Sequence, residues 1–123
     1  MFYIIMKKRL KNQLVDKRPW GEFEQFTLNE NSTVKIITVK SKKRLSLQKH
    51  KNREEFWKVL DHPVKVTVGK KTWTAKINEE IFIPKNTIHR LEGLNKDGRI
   101  LEIALGKFNE NDIERVEDDY GRK

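Results

Sequence analysis

The feature that most constrains this fold is a succession of short apolar runs with strand periodicity, separated by turn-forming residues at close intervals. A strand sends alternate side chains to opposite faces. Residues 22–28 set Phe23, Gln25 and Thr27 against Glu24, Phe26 and Leu28, and residues 34–40 are rich in β-branched side chains. Residues 44–50 and 55–60 read as a central pair, and Pro63 opens a strand with Val64, Val66 and Val68 on one face. Gly69, Lys70 and Lys71 turn the chain into residues 72–77, Asn78 and Glu79 turn it again, and Pro84-Lys85-Asn86 ends a short strand over 80–83. Residues 88–94 and 99–105 flank a last loop. Eight or nine such strands predict an all-β jelly roll. Only residues 109–118 differ: Asn109 or Asn111 ahead of acidic residues predicts a short C-terminal helix or turn.

A chain of 123 residues suits one domain and is long enough to bury roughly two thirds of its unfolded surface. The sequence contains no cysteine, which excludes disulfides and thiolate metal sites and agrees with a reducing cytoplasm. The opening MFYII precedes a basic run and is too short for a secretory core or a membrane span, so residues 1–17 read as an arm or edge strand and no membrane is expected as a partner. A net charge of +9 favours anionic partners: sugar phosphates, nucleotides, nucleic acid or acidic protein. It equally suits a solvated surface rich in Lys and Glu. Nucleic acid ranks last because no aromatic stacking platform is evident. Ile81, Phe82 and Ile83 are apolar without alternation, so strands are expected to be buried on both faces, and a homodimer is the economical cover.

Chemistry concentrates in residues 44–57, RLSLQKHKNREEFW. Gln48 and His50, two apart, share one strand face while Leu45 and Leu47 take the other, and residues 51–54 suit a reversal that returns Glu55 alongside. His89, after the turn at 84–86 and on the same face as Leu91, is placed to look into the same interior. His, amide oxygen, carboxylate and His form a mixed nitrogen and oxygen set for a divalent cation such as Zn, Mn, Co, Ni, Fe or Mg, without selecting among them. The spacing also suits four separate polar residues.

Further pieces of sequence carry a resemblance. Arg18-Pro19-Trp20-Gly21, Leu45-Ser46-Leu47-Gln48, His50, Arg53, Glu55, Trp57, Ile83-Pro84, His89-Arg90 and Asp118-Asp119-Tyr120-Gly121-Arg122 together resemble the type II mannose-6-phosphate isomerase domain. That module is a cupin and also occurs at the C-terminus of bifunctional mannose-1-phosphate guanylyltransferases; here it is expected as a free-standing cupin. The resemblance implies a cupin double-stranded β-helix over residues 18–123. It also implies metal ligands at Gln48, His50 and Glu55 in the first motif and at His89 in the second. The sequence departs from the branch's pattern where Lys51, Asn52 and Phe56 replace histidines, and where Lys42, His62 and Asn86 replace glycines.

The implied chemistry is aldose-ketose isomerisation between mannose 6-phosphate and fructose 6-phosphate, serving nucleotide-sugar biosynthesis. It requires a base to carry a proton between C1 and C2 and a Lewis acid for the enediolate oxygens. No residue stands out as that base once the ligands are set aside. Arg44, Arg53 and Arg90, nearest the motifs, and Arg18 in RPWG are the candidates for the substrate phosphate. The alternative is a non-catalytic or repurposed cupin that binds a sugar phosphate or nucleotide sugar, a reading the replaced histidines favour.

Overall fold

A computed structural model describes residues 3–5 and 9–123, which form two compact units, residues 1–31 and 32–123. The first unit holds an antiparallel three-stranded sheet: β1 (Tyr3–Ile5), β2 (Leu14–Arg18) and β3 (Gly21–Gln25), in that order. Arg18 pairs with Gly21, leaving Pro19 and Trp20 as the hairpin turn. Gly21 has φ +142°, a conformation open to glycine and strained for other residues, so RPWG is a turn dictated by its own residues. The unit boundary falls after Asn31.

The second unit contains β4 (Ser32–Val39), β5 (Leu47–Lys49), β6 (Glu54–Val59), β7 (Val64–Val68), β8 (Lys71–Ala75), β9 (Glu80–Ile83), β10 (His89–Gly93), β11 (Gly98–Leu105) and β12 (Glu114–Glu117). They build a five-stranded sheet, β12-β5-β10-β7-β8, and a four-stranded sheet, β4-β11-β6-β9, with every pair antiparallel. One apolar cluster draws on both sheets: Val39, Trp57, Val59, Ile81, Ile83 and Ile100 from the smaller, and Val64, Val66, Ala75 and Leu91 from the larger. Fully burying each large aliphatic member stabilises the fold by about 1.5–3 kcal/mol before entropy is counted. All regular structure among the described residues is β, as the alternation requires.

Two local outcomes differ from the sequence reading. At residues 109–118 the turn forms, with Asp112 N donating to Asn109 O at 3.0 Å, and the chain continues as strand β12 instead of a helix. β12 pairs with β5, where Glu114 meets Lys49 at 3.4 Å; pairing with an available sheet edge outweighs a local capping signal worth about 1 kcal/mol. Leu45 packs against the core instead of facing away with Leu47, because regular β5 begins only at Leu47.

Two of the positions where the family pattern has glycine keep a glycine-like backbone without the glycine: Lys42 has φ 60° and Asn86 has φ 58°. Asn tolerates this region, whereas Lys carries the full Cβ penalty. The Asn86 turn also donates its N–H to His50 O at 2.7 Å, tying the end of β5 to the approach to β10.

Candidate metal centre

The register of the larger sheet sets the site. His89 on β10 lies directly opposite Gln48 on β5, and Gln48 lies opposite Arg115 on β12. Directly paired residues share a face, so Arg115, Gln48 and His89 form one row. Leu91, two residues beyond His89, belongs to the buried core, which makes this the inner face. In the smaller sheet Glu55 and Trp57 of β6 are both buried, and Trp57 Nε1 donates to Glu55 Oε1 at 3.1 Å, so they also face inward.

These strands bring together His50, Glu55 and His89, all three buried, with ligand-capable atoms within 4.8 Å of one another. Nε2 of His50 lies 3.3 Å from Glu55 Oε2, and Nε2 of His89 lies 3.6 Å from Glu55 Oε1. Each imidazole is oriented from behind. His50 Nδ1 donates to Asp112 O at 2.6 Å and His89 Nδ1 donates to Thr87 O at 2.9 Å, since carbonyl oxygens only accept. Both rings are therefore Nδ1–H tautomers with Nε2 aimed at the centre, the orientation that outer hydrogen bonds impose on metal-ligating histidines. His89 Nε2 is buried without a hydrogen-bond partner. Arg53 Nη2 approaches His50 Nε2 at 3.2 Å, and a guanidinium has only donors, so His50 presents a lone pair there.

The electrostatics favour the charge states that a cation needs. Burial holds the His89 imidazole below its usual range against the opposing pull of Glu55, which keeps it neutral. Burial pushes Glu55 upward, but its contact with His50 and the hydrogen bond that Glu102 donates outweigh it and hold its carboxyl well below the ordinary value. Glu102 goes the other way. Burial, and next the neighbouring Glu55 carboxylate, push it up to about 8, so at neutral pH it is a carboxylic acid donating to Glu55. Two neutral imidazoles, one carboxylate and the Gln48 amide on the same face are chemically suited to a divalent cation, and the partnerless His89 Nε2 fits such a ligand.

The arginines named from the sequence are placed differently from one another. Arg53 lies in the cluster, with Nε donating to Glu55 Oε2 at 3.0 Å, Nη1 donating to Asn109 O and its guanidinium 4.4 Å over the Phe108 ring. Arg90 is buried on the outer face, where Nε donates to Leu45 O at 2.9 Å and Nη1 to Glu117 at 3.1 Å. Arg44 forks onto Asp119 at 2.8 and 3.0 Å on the surface. Arg18 forks onto Asp16 within the first unit. The replaced histidines lie outside the cluster: Lys51 and Asn52 are exposed, and Phe56 alternates with Glu55 and Trp57 onto the other face of β6.

Sequence reasoning missed Glu102, Asp112 and Arg115. Asp112 accepts from the backbone N–H groups of Lys51 and Asn52 at 2.8 and 2.9 Å, which hold its carboxyl below the usual range, while its carbonyl orients His50. Nothing local marks these residues; a charged residue alternating with apolar ones in residues 98–105 was the one available signal for Glu102.

The chain is 41% identical over 107 residues to the alginate biosynthesis protein AlgA of Pseudomonas aeruginosa, covering 85% of this chain and 22% of that protein. It is 39% identical over 106 residues to the mannose-1-phosphate guanylyltransferase RfbM of Salmonella typhimurium, again covering 85% and 22%. The chain thus spans less than a quarter of the length of these curated relatives. In fold it is similar to the Cnp3 cupin domain of Schizosaccharomyces pombe, with a TM-score of 0.59 at 12% identity over 68% of this chain and 61% of that one. No helix among the described residues is long and apolar enough to cross a membrane. Residues 6–118 match the family described as "Mannose-6-phosphate isomerase C-terminal", and this chain, with the fold of a cupin domain, belongs to that family.

Proposed function

We propose that this domain is a metal-dependent isomerase interconverting mannose 6-phosphate and fructose 6-phosphate, with Gln48, His50, Glu55 and His89 as metal ligands. The observation that carries the reading is the pair of Nδ1–H imidazoles whose Nε2 atoms converge on the Glu55 carboxylate, in a chain of this family. A divalent cation there would supply the Lewis acid for the sugar's carbonyl and hydroxyl oxygens. The chain's own residues position the ligands: Thr87 and Asp112 fix both rings, Arg53 and Trp57 hold the two Glu55 oxygens, and the three side chains are buried.

The alternative, a sugar-phosphate or nucleotide-sugar binder without turnover, draws on the replacements at Lys51, Asn52 and Phe56. Their position outside the ligand cluster weakens it. Metal analysis of the purified protein with a coupled isomerase assay separates the two. Stoichiometric metal and turnover abolished by chelation are expected; metal and sugar-phosphate binding with no turnover would establish the alternative. A cytoplasmic homodimer completes the proposal. Exposed Val34 and Ile36, on one face of β4, support the self-association, and sedimentation velocity tests it.

A further inference from the structure

The proposed substrate carries a dianionic phosphate, and the arginines nearest the motifs are already committed. Arg44 and Arg18 each fork onto a carboxylate, Arg90 is on the outer face, and Arg53 is held by Glu55, His50 and Asn109. Arg90 Nη2 is buried without a partner, but on the side of the sheet away from the ligands.

Arg115 is different. It sits on β12 at the register position opposite Gln48, and so on the inner face with Gln48 and His89. Its neighbour Glu114 points the other way, to Lys49. The register shifts between Arg115 and Glu117, where pairing resumes opposite Leu47, and bulges of this kind re-aim a side chain. Its Nε is buried and has no hydrogen-bond partner, an arrangement that costs free energy unless a ligand satisfies it. β12 is two strands from β10, so Arg115 lies roughly 10 Å across the sheet from His89, a distance on the scale of a hexose phosphate, with Gln48 between them.

From this geometry we infer that Arg115 is the positioning residue for the substrate phosphate, receiving a phosphate monoester at one end of the inner row while the sugar carbon that reacts lies at the His89 end. The inference rests on the isomerase reading for the substrate's identity, but not for the presence of an anion site. A guanidinium suits the role because its planar fork pairs with two phosphate oxygens.

The test compares metal-loaded wild type, Arg115→Gln and Arg115→Lys by calorimetric binding of mannose 6-phosphate, inorganic phosphate and unphosphorylated mannose, with metal stoichiometry measured on each. Arg115→Gln is expected to weaken both phosphate-bearing ligands about 10- to 100-fold, the scale of one charge-assisted fork, with mannose binding and metal content unchanged. Arg115→Lys, which keeps the charge and loses the fork, should fall between. In turnover the loss should appear in KM more than in kcat. Unchanged affinity for inorganic phosphate and mannose 6-phosphate in either folded variant would overturn the inference, whatever the wild type's activity. A wild type that binds both but does not turn over, with binding lost in Arg115→Gln, would uphold the inference and remove the isomerase reading.

Discussion

His89 and Arg90 are consecutive, equally buried residues of one strand, and they do opposite things. His89 belongs to the inner row with Gln48 and Arg115, where Nε2 faces the Glu55 carboxylate at 3.6 Å. Arg90 belongs to the outer face, where it ties Leu45 O to Glu117 and so clips β10 and the approach to β5 to β12. The inner row leaves polar atoms facing the cluster; on the outer face two of the three guanidinium nitrogens of Arg90 bond within the protein. Closeness to a motif in sequence is therefore a poor guide to closeness in the site, because the strand period of two separates neighbours onto opposite faces.

The sharpest way to break this contrast is to truncate each residue in turn. His89→Ala should abolish stoichiometric metal binding with the circular dichroism spectrum retained, and His50→Ala should do the same. Arg90→Ala should keep the metal and lose stability by about 1–3 kcal/mol, since it leaves the Leu45 carbonyl without its charged donor. Metal analysis and chemical denaturation on the same samples read both effects, and metal loss in Arg90→Ala would erase the distinction between faces.

Asp112→Ala tests the support behind the inner row. It removes the carboxylate that fixes residues 51 and 52 and leaves the carbonyl that holds His50 less firmly placed. Metal affinity, measured by competition with a chromophoric chelator, should drop about tenfold, and an unchanged affinity would show that His50 needs no such support.

Glu102 offers a smaller effect with a defined sign. In the metal-free fold it holds its proton up to about 8, whereas unfolded it releases it near 4.5. Between those values the folded state binds more protons than the unfolded state, so this group's contribution to stability falls as pH rises. Glu102→Gln removes that slope. The wild type should therefore lose thermal stability relative to Glu102→Gln between pH 6 and pH 9 (about 4.5 to 8 being the active window), and parallel melting profiles would contradict it.

The smallest change lies away from both rows. Lys42→Gly relieves a left-handed lysine at φ 60° and should stabilise by about 0.5–1 kcal/mol after glycine's entropic cost, seen as a rise in Tm. A fall in Tm would mean that the lysine side chain contributes more than its backbone strain removes.

Much of this architecture was legible in the chain. The strands from β4 to β11 lie within a few residues of where alternation and turn residues put them, because burial of one face enforces the period of two. His50, Glu55 and His89 also lie together, an arrangement that the reversal after His50 and the turn before His89 allowed and that the strand pairing brought about. The strand over residues 14–18 was not legible, as its burial pattern has a single buried position. Nor was β12, whose sequence takes up a strand by pairing with the edge of β5, where Glu114 meets Lys49.

The sequence by itself determined an all-β chain, because strand periodicity is a local property, and its motifs pointed to the family and to the candidate ligands. Only the tertiary structure decided which charges share the site. Arg53 entered the cluster, Arg90, Arg44 and Arg18 found carboxylate partners elsewhere, and Arg115, Glu102 and Asp112 were brought in from strands and turns distant in sequence. The physical reason is that a side chain's face depends on the register of its strand, and register is set by pairing between segments that no local pattern joins.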